Sequence, residues 1–178
     1  WLHQFFFFRP LGRHYGSSPE MTTLNETAAD MAGRELGDLA YESMTGQRPE
    51  PPGPPAPPGV FDFSREMRVT RVHTDELLAQ GRIEEAERYM EERRRLFVQN
   101  GYYIRKLNQA YFAFHGAYAE SAASVSPIAG ELEELRQQSG SVGEFIRRAA
   151  RFGSYETFKE GLGAAADQPR AEAAAIVP

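Results

Sequence analysis

The chain has 178 residues, of which 41% are hydrophobic, and this length and composition suit one domain, or one domain with a tail. The formal net charge of −5 gives no reason to expect nucleic acid as a partner, and no basic block in the sequence suggests an anionic membrane. Cysteine is absent, which excludes disulfides and thiolate zinc sites, and no apolar run approaches the ~18 residues needed to cross a bilayer.

The first two predicted helices lie in residues 1–46. Residues 1–8 form an apolar, aromatic run, which predicts a helix whose second half, Phe5 to Phe8, is buried and which Pro10 ends. A second helix should begin after Ser18, because serine is a good N-cap and Pro19 suits the first helical position. We expect this second helix to continue to about residue 44.

Two carboxylates on the second helix indicate a candidate site. Glu26 and Asp30 lie one helical turn apart on one face, and like charges at this spacing repel and weaken a bare helix. A cation between them, or a neutral imidazole held by the second carboxylate, would turn this weakness into a site. His3, on the first predicted helix, is the candidate imidazole.

The same residues carry a resemblance to a known family. Residues 25–30, Asn-Glu-Thr-Ala-Ala-Asp, resemble the second zinc motif of the thermolysin-like metallopeptidases, the gluzincins, in which an Asn-Glu pair opens a helix and an Asp follows four residues after the Glu. Residues 1–3, Trp-Leu-His, resemble the last three positions of the family's first motif, H-E-x-x-H. The chain begins with Trp, not Met, so we expect a C-terminal fragment that begins inside this motif.

The resemblance implies a zinc site and assigns roles to four residues. His3 and Glu26 would be two of the three protein ligands of Zn²⁺, and the third ligand, a His, and the general-base Glu would precede Trp1. Asp30 would accept an N–H from a ligand His and fix its tautomer, and Asn25 would cap or brace the same region. The chain alone should then be catalytically inactive and bind zinc weakly.

The remainder of the chain is strongly helical, and strand patterns are almost absent. Further helices are predicted over residues 64–80, 82–99, 102–120, 128–138, 142–151 and 155–162. The fold class is therefore all-α, which the resemblance makes a helical C-terminal subdomain of a zincin-type metallopeptidase. Four parts follow: zinc-site helices over residues 1–46, a Pro-rich linker over 47–60, a helical bundle over 61–163, and a disordered, Ala-rich tail over 164–178.

Polar aromatic residues on the predicted helix at 102–120 are candidates for the catalytic donor. A peptidase of this class needs a hydrogen-bond donor aimed at the oxygen that becomes negative in the tetrahedral intermediate. Tyr111 and His115 are the catalytic candidates, with His14 and Tyr15 as weaker ones. The alternative is that these polar aromatic residues satisfy each other in an interface between helices.

Three further patterns each have a simple alternative. Arg65, Arg68 and Arg71 either clamp a substrate carboxylate or form a solvated face that pairs with glutamates. Residues 77–89 resemble one helix–turn–helix of a tetratricopeptide-type repeat, but without a second copy an ordinary helical hairpin is the better explanation. The Pro-rich linker is either an extended connection or a docking site for a proline-binding partner.

The hypothesis is thus a zinc-dependent peptidase of gluzincin type that hydrolyses peptide bonds with a metal-activated water. Its partners would be peptide or protein substrates, with membrane attachment possible through the part upstream of Trp1. This would be compatible with a cell-envelope location. The alternative function is a non-catalytic helical module that binds a protein partner.

Overall fold

A computed structural model describes residues 1–50, 57 and 60–166 of the chain, and the regular elements in these ranges are all helices. They are α1 (Leu2–Phe7), α2 (Pro10–Arg13), α3 (Pro19–Thr45), α4 (Phe63–Ala79), α5 (Ile83–Gln99), α6 (Gln109–Gly116), α7 (Ile128–Gln137), α8 (Val142–Ala149) and α9 (Tyr155–Ala166). The all-α prediction is confirmed.

Helix α3 is the longest helix, and local signals set both of its ends. The Ser18 side chain accepts a hydrogen bond from the Met21 N–H at 3.2 Å, and Pro19 occupies the first turn. Gly46 ends the helix with a left-handed φ of 71°, a conformation that glycine adopts without strain. The N-terminal half of α3, which carries Leu24 and Glu26, is the half that lies in the interior.

The larger hydrophobic core forms where α1, α2, α7, α8 and α9 surround the first half of α3. Its fully buried side chains include Phe6, Leu24, Leu132, Phe145 and Phe158. This core therefore joins the N-terminal 46 residues to the C-terminal helices, which are more than 80 residues away in sequence.

A smaller core lies between α4 and α5. Met67 and Phe97 are completely buried in it, and Ile104, Leu107 and Phe112 close it from the following segment. Residues 117–127 connect the two cores, with Ala119 in the larger and Ala123 in the smaller.

Two local predictions differ from the structure. The helix expected over residues 102–120 spans only Gln109–Gly116, because the Asn108 side chain caps its start by accepting from the Tyr111 N–H at 2.9 Å. The expected burial of the aromatic run is also wrong at its end. Phe7 and Phe8 are 67% and 71% exposed. Helix α1 is short, and the face that packs against α3 is occupied by Leu2 and Phe6.

Residues 51–56, 58–59 and 167–178 lie outside the described part of the chain, and with them most of the predicted Pro-rich linker and disordered tail. Helix α9 continues into the predicted tail, as far as Ala166. Within residues 1–50 and 60–166, every helix is either too short or too polar to span a bilayer.

Candidate functional site

The packing of α1 against α3 brings the predicted zinc-site residues together. Leu2 lies so close to α3 that a methyl group at Gly33 would contact its Cδ1 atom at 3.8 Å. One position along α1, the His3 imidazole projects over the part of α3 that carries Asn25 and Glu26. His3 Nε2 lies 3.6 Å from Glu26 Oε2.

The other imidazole nitrogen of His3 is fixed by Asn25. His3 Nδ1 lies 3.0 Å from Asn25 Oδ1, and Asn25 Nδ2 donates to the Leu11 carbonyl at 3.4 Å, which orients the amide. Because an amide oxygen only accepts, His3 Nδ1 carries a hydrogen and Nε2 is the nitrogen directed at Glu26. A neutral His3 therefore points a lone pair at a carboxylate, an arrangement that a proton or a metal cation between them would stabilise.

The Glu26 carboxylate is held by the Tyr15 hydroxyl on its other side. Tyr15 Oη donates to Glu26 Oε1 at 2.6 Å, and this hydrogen bond, with burial and the Glu26 charge, raises the pKa of Tyr15 to about 12. Hydrogen bonding to Glu26 and its charge also raise the pKa of Tyr118. The Glu26 side chain is 13% exposed, against 57% for His3, so the site opens to solvent on the imidazole side.

Asp30 lies one turn further along α3, and its charge contributes to the raised pKa of Tyr118. Its carboxylate is 3.3 Å from the Arg34 guanidinium, which also pairs with Glu120. His3 Nδ1 donates to Asn25 Oδ1 and not to Asp30. The role predicted for Asp30, bracing a ligand histidine, would therefore have to concern a histidine other than His3.

The donor set can be compared with what zinc requires. Two ligands that each lie ~2.1 Å from a tetrahedral zinc ion are about 3.4 Å apart, close to the 3.6 Å between His3 Nε2 and Glu26 Oε2. The described residues bring no group of three or more His, Asp or Glu side chains together as a metal site. The pair fits two positions of a zinc site and needs a further ligand to complete it.

A cavity of about 720 Å³ lies between the two cores, and neither His3 nor Glu26 is among the residues that line it. Thr22 and Thr23, one turn before Glu26, form one wall, and Phe112 and Ala113 of α6 form another. Arg71 of α4 contributes a cation. Pockets of several hundred Å³ are the usual size for binding a small ligand or a few residues of a peptide.

The predicted catalytic residues Tyr111 and His115 contact each other, with ring centroids 4.2 Å apart. Tyr111 packs against the smaller core, and burial raises the pKa of its phenol. Both residues lie on α6, so this contact is within one helix and leaves the interface alternative a prediction. The assignment of Tyr111 and His115 to catalysis stays a prediction.

The arginines predicted to form a row on α4 contact different partners. Arg65 lies 3.5 Å from Glu66, and Arg71 donates to Asp75 at 2.6 Å. Arg71 also stacks over the Phe112 ring at 5.1 Å. The row is therefore mostly a helix face with glutamate and aspartate partners, and Arg71 is the member that reaches the cavity.

Tyr118 is a site residue that is not among the candidates predicted from the sequence. Helix α6 ends at Gly116, and the chain then turns toward α3. The Thr27 hydroxyl accepts from the Ala119 N–H at 2.9 Å, and this contact holds the turn over Glu26. No local pattern in residues 117–120 signals a contact so distant in sequence.

Comparison of the chain with protein-family models, with curated proteins and with solved structures found no match.

Proposed function

We propose that this chain carries part of the zinc site of a metallopeptidase of gluzincin type, with His3 and Glu26 as two of its protein ligands. The observation that supports the proposal is the approach of His3 Nε2 to Glu26 Oε2, 3.6 Å apart, with each side chain held from behind. Asn25 fixes the imidazole, and Tyr15 fixes the free carboxylate oxygen. Partners of this kind orient metal ligands and raise their basicity.

When bound, zinc lowers the pKa of a coordinated water to ≈ 7 and polarises the peptide carbonyl. Glu26 and the tyrosines beside it would set how the metal is held. Tyr15 donates to Oε1 of Glu26, and Oε2 is the oxygen that faces His3, so the carboxylate would ligate through Oε2. The phenols of Tyr15 and Tyr118 keep their protons at neutral pH, and Tyr15 uses its single hydroxyl hydrogen to hold Glu26.

The cavity beside α3 gives the substrate a place to lie. Its walls are mostly apolar and small, and it begins one helical turn from Glu26. We propose that the peptide occupies this cavity and reaches the His3–Glu26 pair past Thr22 and Thr23.

The experiment completes the H-E-x-x-H motif by placing His-Glu directly before Trp1 and measures bound zinc after dialysis. The proposal predicts stoichiometric zinc, lost in Glu26→Gln and kept in Asp38→Asn, a matched control that removes an exposed carboxylate from the same helix. Equal, stoichiometric zinc in Glu26→Gln would refute the ligand assignment.

A second candidate function is a non-catalytic helical interaction module. The observation that favours it is that a protonated His3 would form a complete ion pair with Glu26 at 3.6 Å, with no metal needed. In that case zinc would not bind even after the motif is completed, so the same experiment separates the two functions.

A further inference from the structure

Arginine and aromatic side chains gather on the side of the molecule where α1 meets the end of α8. A pocket of about 330 Å³ lies there, lined by Trp1, Phe5, Arg9, Arg147 and Arg151 together with small apolar residues. We refer to these five residues as the basic-aromatic face. A backbone hydrogen bond from the Leu11 N–H to the Ala150 carbonyl, at 3.3 Å, joins the two segments that form it.

The α1 side of this face is a row of stacked side chains. Trp1 and Phe5 stack with ring centroids 5.9 Å apart and planes inclined by 16°. The Arg9 guanidinium lies 5.3 Å from the Phe5 ring centroid. The three residues follow one another at intervals of four, so they form a continuous aromatic wall that ends in a cation.

The charge of the face is unbalanced. Arg9, Arg147 and Arg151 are exposed, and among the described residues none of them has a carboxylate within ion-pair distance, nor does any Asp or Glu line the pocket. Elsewhere most arginines are paired, as Arg136 is with Glu35. Three cations gathered without a counter-charge, in a chain of net charge −5, form a site complementary to anions.

One exposed apolar ring lines the pocket, and a second precedes Arg9 in the sequence. Trp1 is 76% exposed, and Phe8, one turn after Phe5, is 71% exposed. A soluble phosphate ester would need the arginines but would leave these rings in water. At a membrane surface, the rings enter the headgroup region while the guanidiniums reach the lipid phosphates, so both features find partners at once.

We propose that the basic-aromatic face binds anionic phospholipid headgroups and seats the protein on a membrane surface. The binding is peripheral, since the arginines contact phosphates and the rings enter only the interfacial layer. This proposal is independent of the zinc site, which lies on another part of α1.

Trp1 makes the test direct, because it is the chain's single tryptophan and belongs to the face. The full chain is titrated with vesicles of phosphatidylcholine, and with vesicles in which phosphatidylglycerol replaces part of it. The expected result is a blue shift of the Trp1 emission and co-sedimentation with the anionic vesicles only. Equal binding to both vesicles, or to neither, would overturn the proposal.

Matched variants separate this face from general charge attraction. Each arginine near an anionic surface is worth roughly a fivefold change in partition, so Arg147→Gln with Arg151→Gln should weaken binding about 30-fold. Arg68→Gln with Arg105→Gln removes two exposed arginines elsewhere and should change binding little. Circular dichroism confirms that each double variant remains helical. Equal loss in the two double variants would contradict the proposal.

Two further arms distinguish the source of the phosphate. Phe8→Ser should weaken vesicle binding, because a ring leaves the interfacial layer. Glycerol phosphate, added at the phosphate concentration of the vesicles, should leave vesicle binding unchanged. Full competition by glycerol phosphate would identify a soluble phosphate ester as the ligand and overturn the membrane assignment.

Discussion

Asn25 determines which nitrogen of His3 faces Glu26. Its side chain is 2% exposed and bonds both to His3 Nδ1 and to the Leu11 carbonyl. The first contact sets the tautomer, and the second ties α3 to α2. The chemistry proposed for the His3–Glu26 pair therefore depends on Asn25, an uncharged residue that directly precedes Glu26 in the sequence.

Asn25→Ala should lower the free energy of unfolding by about 1–3 kcal/mol, because it leaves the Leu11 carbonyl without its partner. In the chain with His-Glu before Trp1, it should also weaken zinc binding about 10–100-fold. Urea denaturation and competition with a chelator measure the two effects. Asn25→Asp is the matched control for zinc, because its carboxylate can still accept from His3 Nδ1. If Asn25→Ala bound zinc as tightly as the parent chain, His3 would not depend on Asn25.

Two tyrosines beside carboxylates predict loss of stability at high pH. Hydrogen bonding to Glu26 raises the pKa of Tyr15 to about 12, and burial with a 2.8 Å hydrogen bond to Glu131 raises that of Tyr155 to about 12. Below the unfolded-state pKa of about 10 their contribution to stability is complete. As pH rises from about 10 to about 12 the unfolded chain loses these protons first, so the free energy of unfolding falls.

Tyr155→Phe should make this decline shallower, because one of the two groups no longer titrates. Tyr103→Phe, at a side chain that is 89% exposed, is the control and should leave the slope unchanged. Urea denaturation at several pH values across this range gives the slopes. If the slope for Tyr155→Phe equals that of the parent chain, the pKa of Tyr155 is not raised in the folded protein.

At the level of elements, the corner between α1 and α2 sets the positions of His3 and Tyr15. Gly12 makes this corner possible, because a Cβ atom there would lie 2.2 Å from the Phe6 carbonyl oxygen. No side chain can be accommodated without moving one short helix away from the other.

Gly12→Ala should therefore lower the free energy of unfolding by about 2–3 kcal/mol, the usual cost of forcing an extra group into a packed contact. Gly16→Ala is the matched control, because nothing lies within 4 Å of its Cβ position, and it should be nearly neutral. Thermal and urea denaturation measure both. Equal effects of the two substitutions would contradict the tight α1–α2 corner.

The elements also show where sequence reasoning succeeds. The start of α3 was predictable because Ser18 and Pro19 are local signals, and the approach of His3 to Glu26 was anticipated from a resemblance in two short motifs. Helix α6 was predicted too long because Ile104 and Leu107 have helical spacing. In the structure they enter the smaller core from a non-helical segment that follows Gly101, whose φ is 88°.

At the level of the whole molecule, the site depends on contacts between distant parts of the chain. The Thr27 hydroxyl accepts from the Ala119 N–H, 92 positions away, and this contact holds the turn that carries Tyr118 against α3. The basic-aromatic face likewise joins Arg9 to Arg147 and Arg151. A pattern read along the chain detects neither, since each segment has an ordinary sequence and only the packing of α2 and α8 places the arginines together.

Thr27→Val should release the turn at Ala119 from α3, because it removes the acceptor of the buried Ala119 N–H. The free energy of unfolding should fall by about 1–3 kcal/mol. The raised pKa of Tyr118 should then fall toward the ordinary tyrosine value as the turn leaves Glu26. Thr27→Ser keeps the acceptor and should keep the raised pKa. Tyrosine ¹³C NMR during an alkaline titration follows this group. An unchanged Tyr118 pKa in Thr27→Val would show that another contact holds the turn.

The most direct measurement of the central claim is ¹⁵N NMR of the His3 imidazole during zinc titration. In the chain with His-Glu before Trp1, zinc should shift the Nε2 resonance of His3, and it should leave that resonance unchanged in the Glu26→Gln variant. A His3 ring protonated on both nitrogens, with resonances that zinc leaves unchanged, would contradict the account and leave an ion pair in place of a metal site.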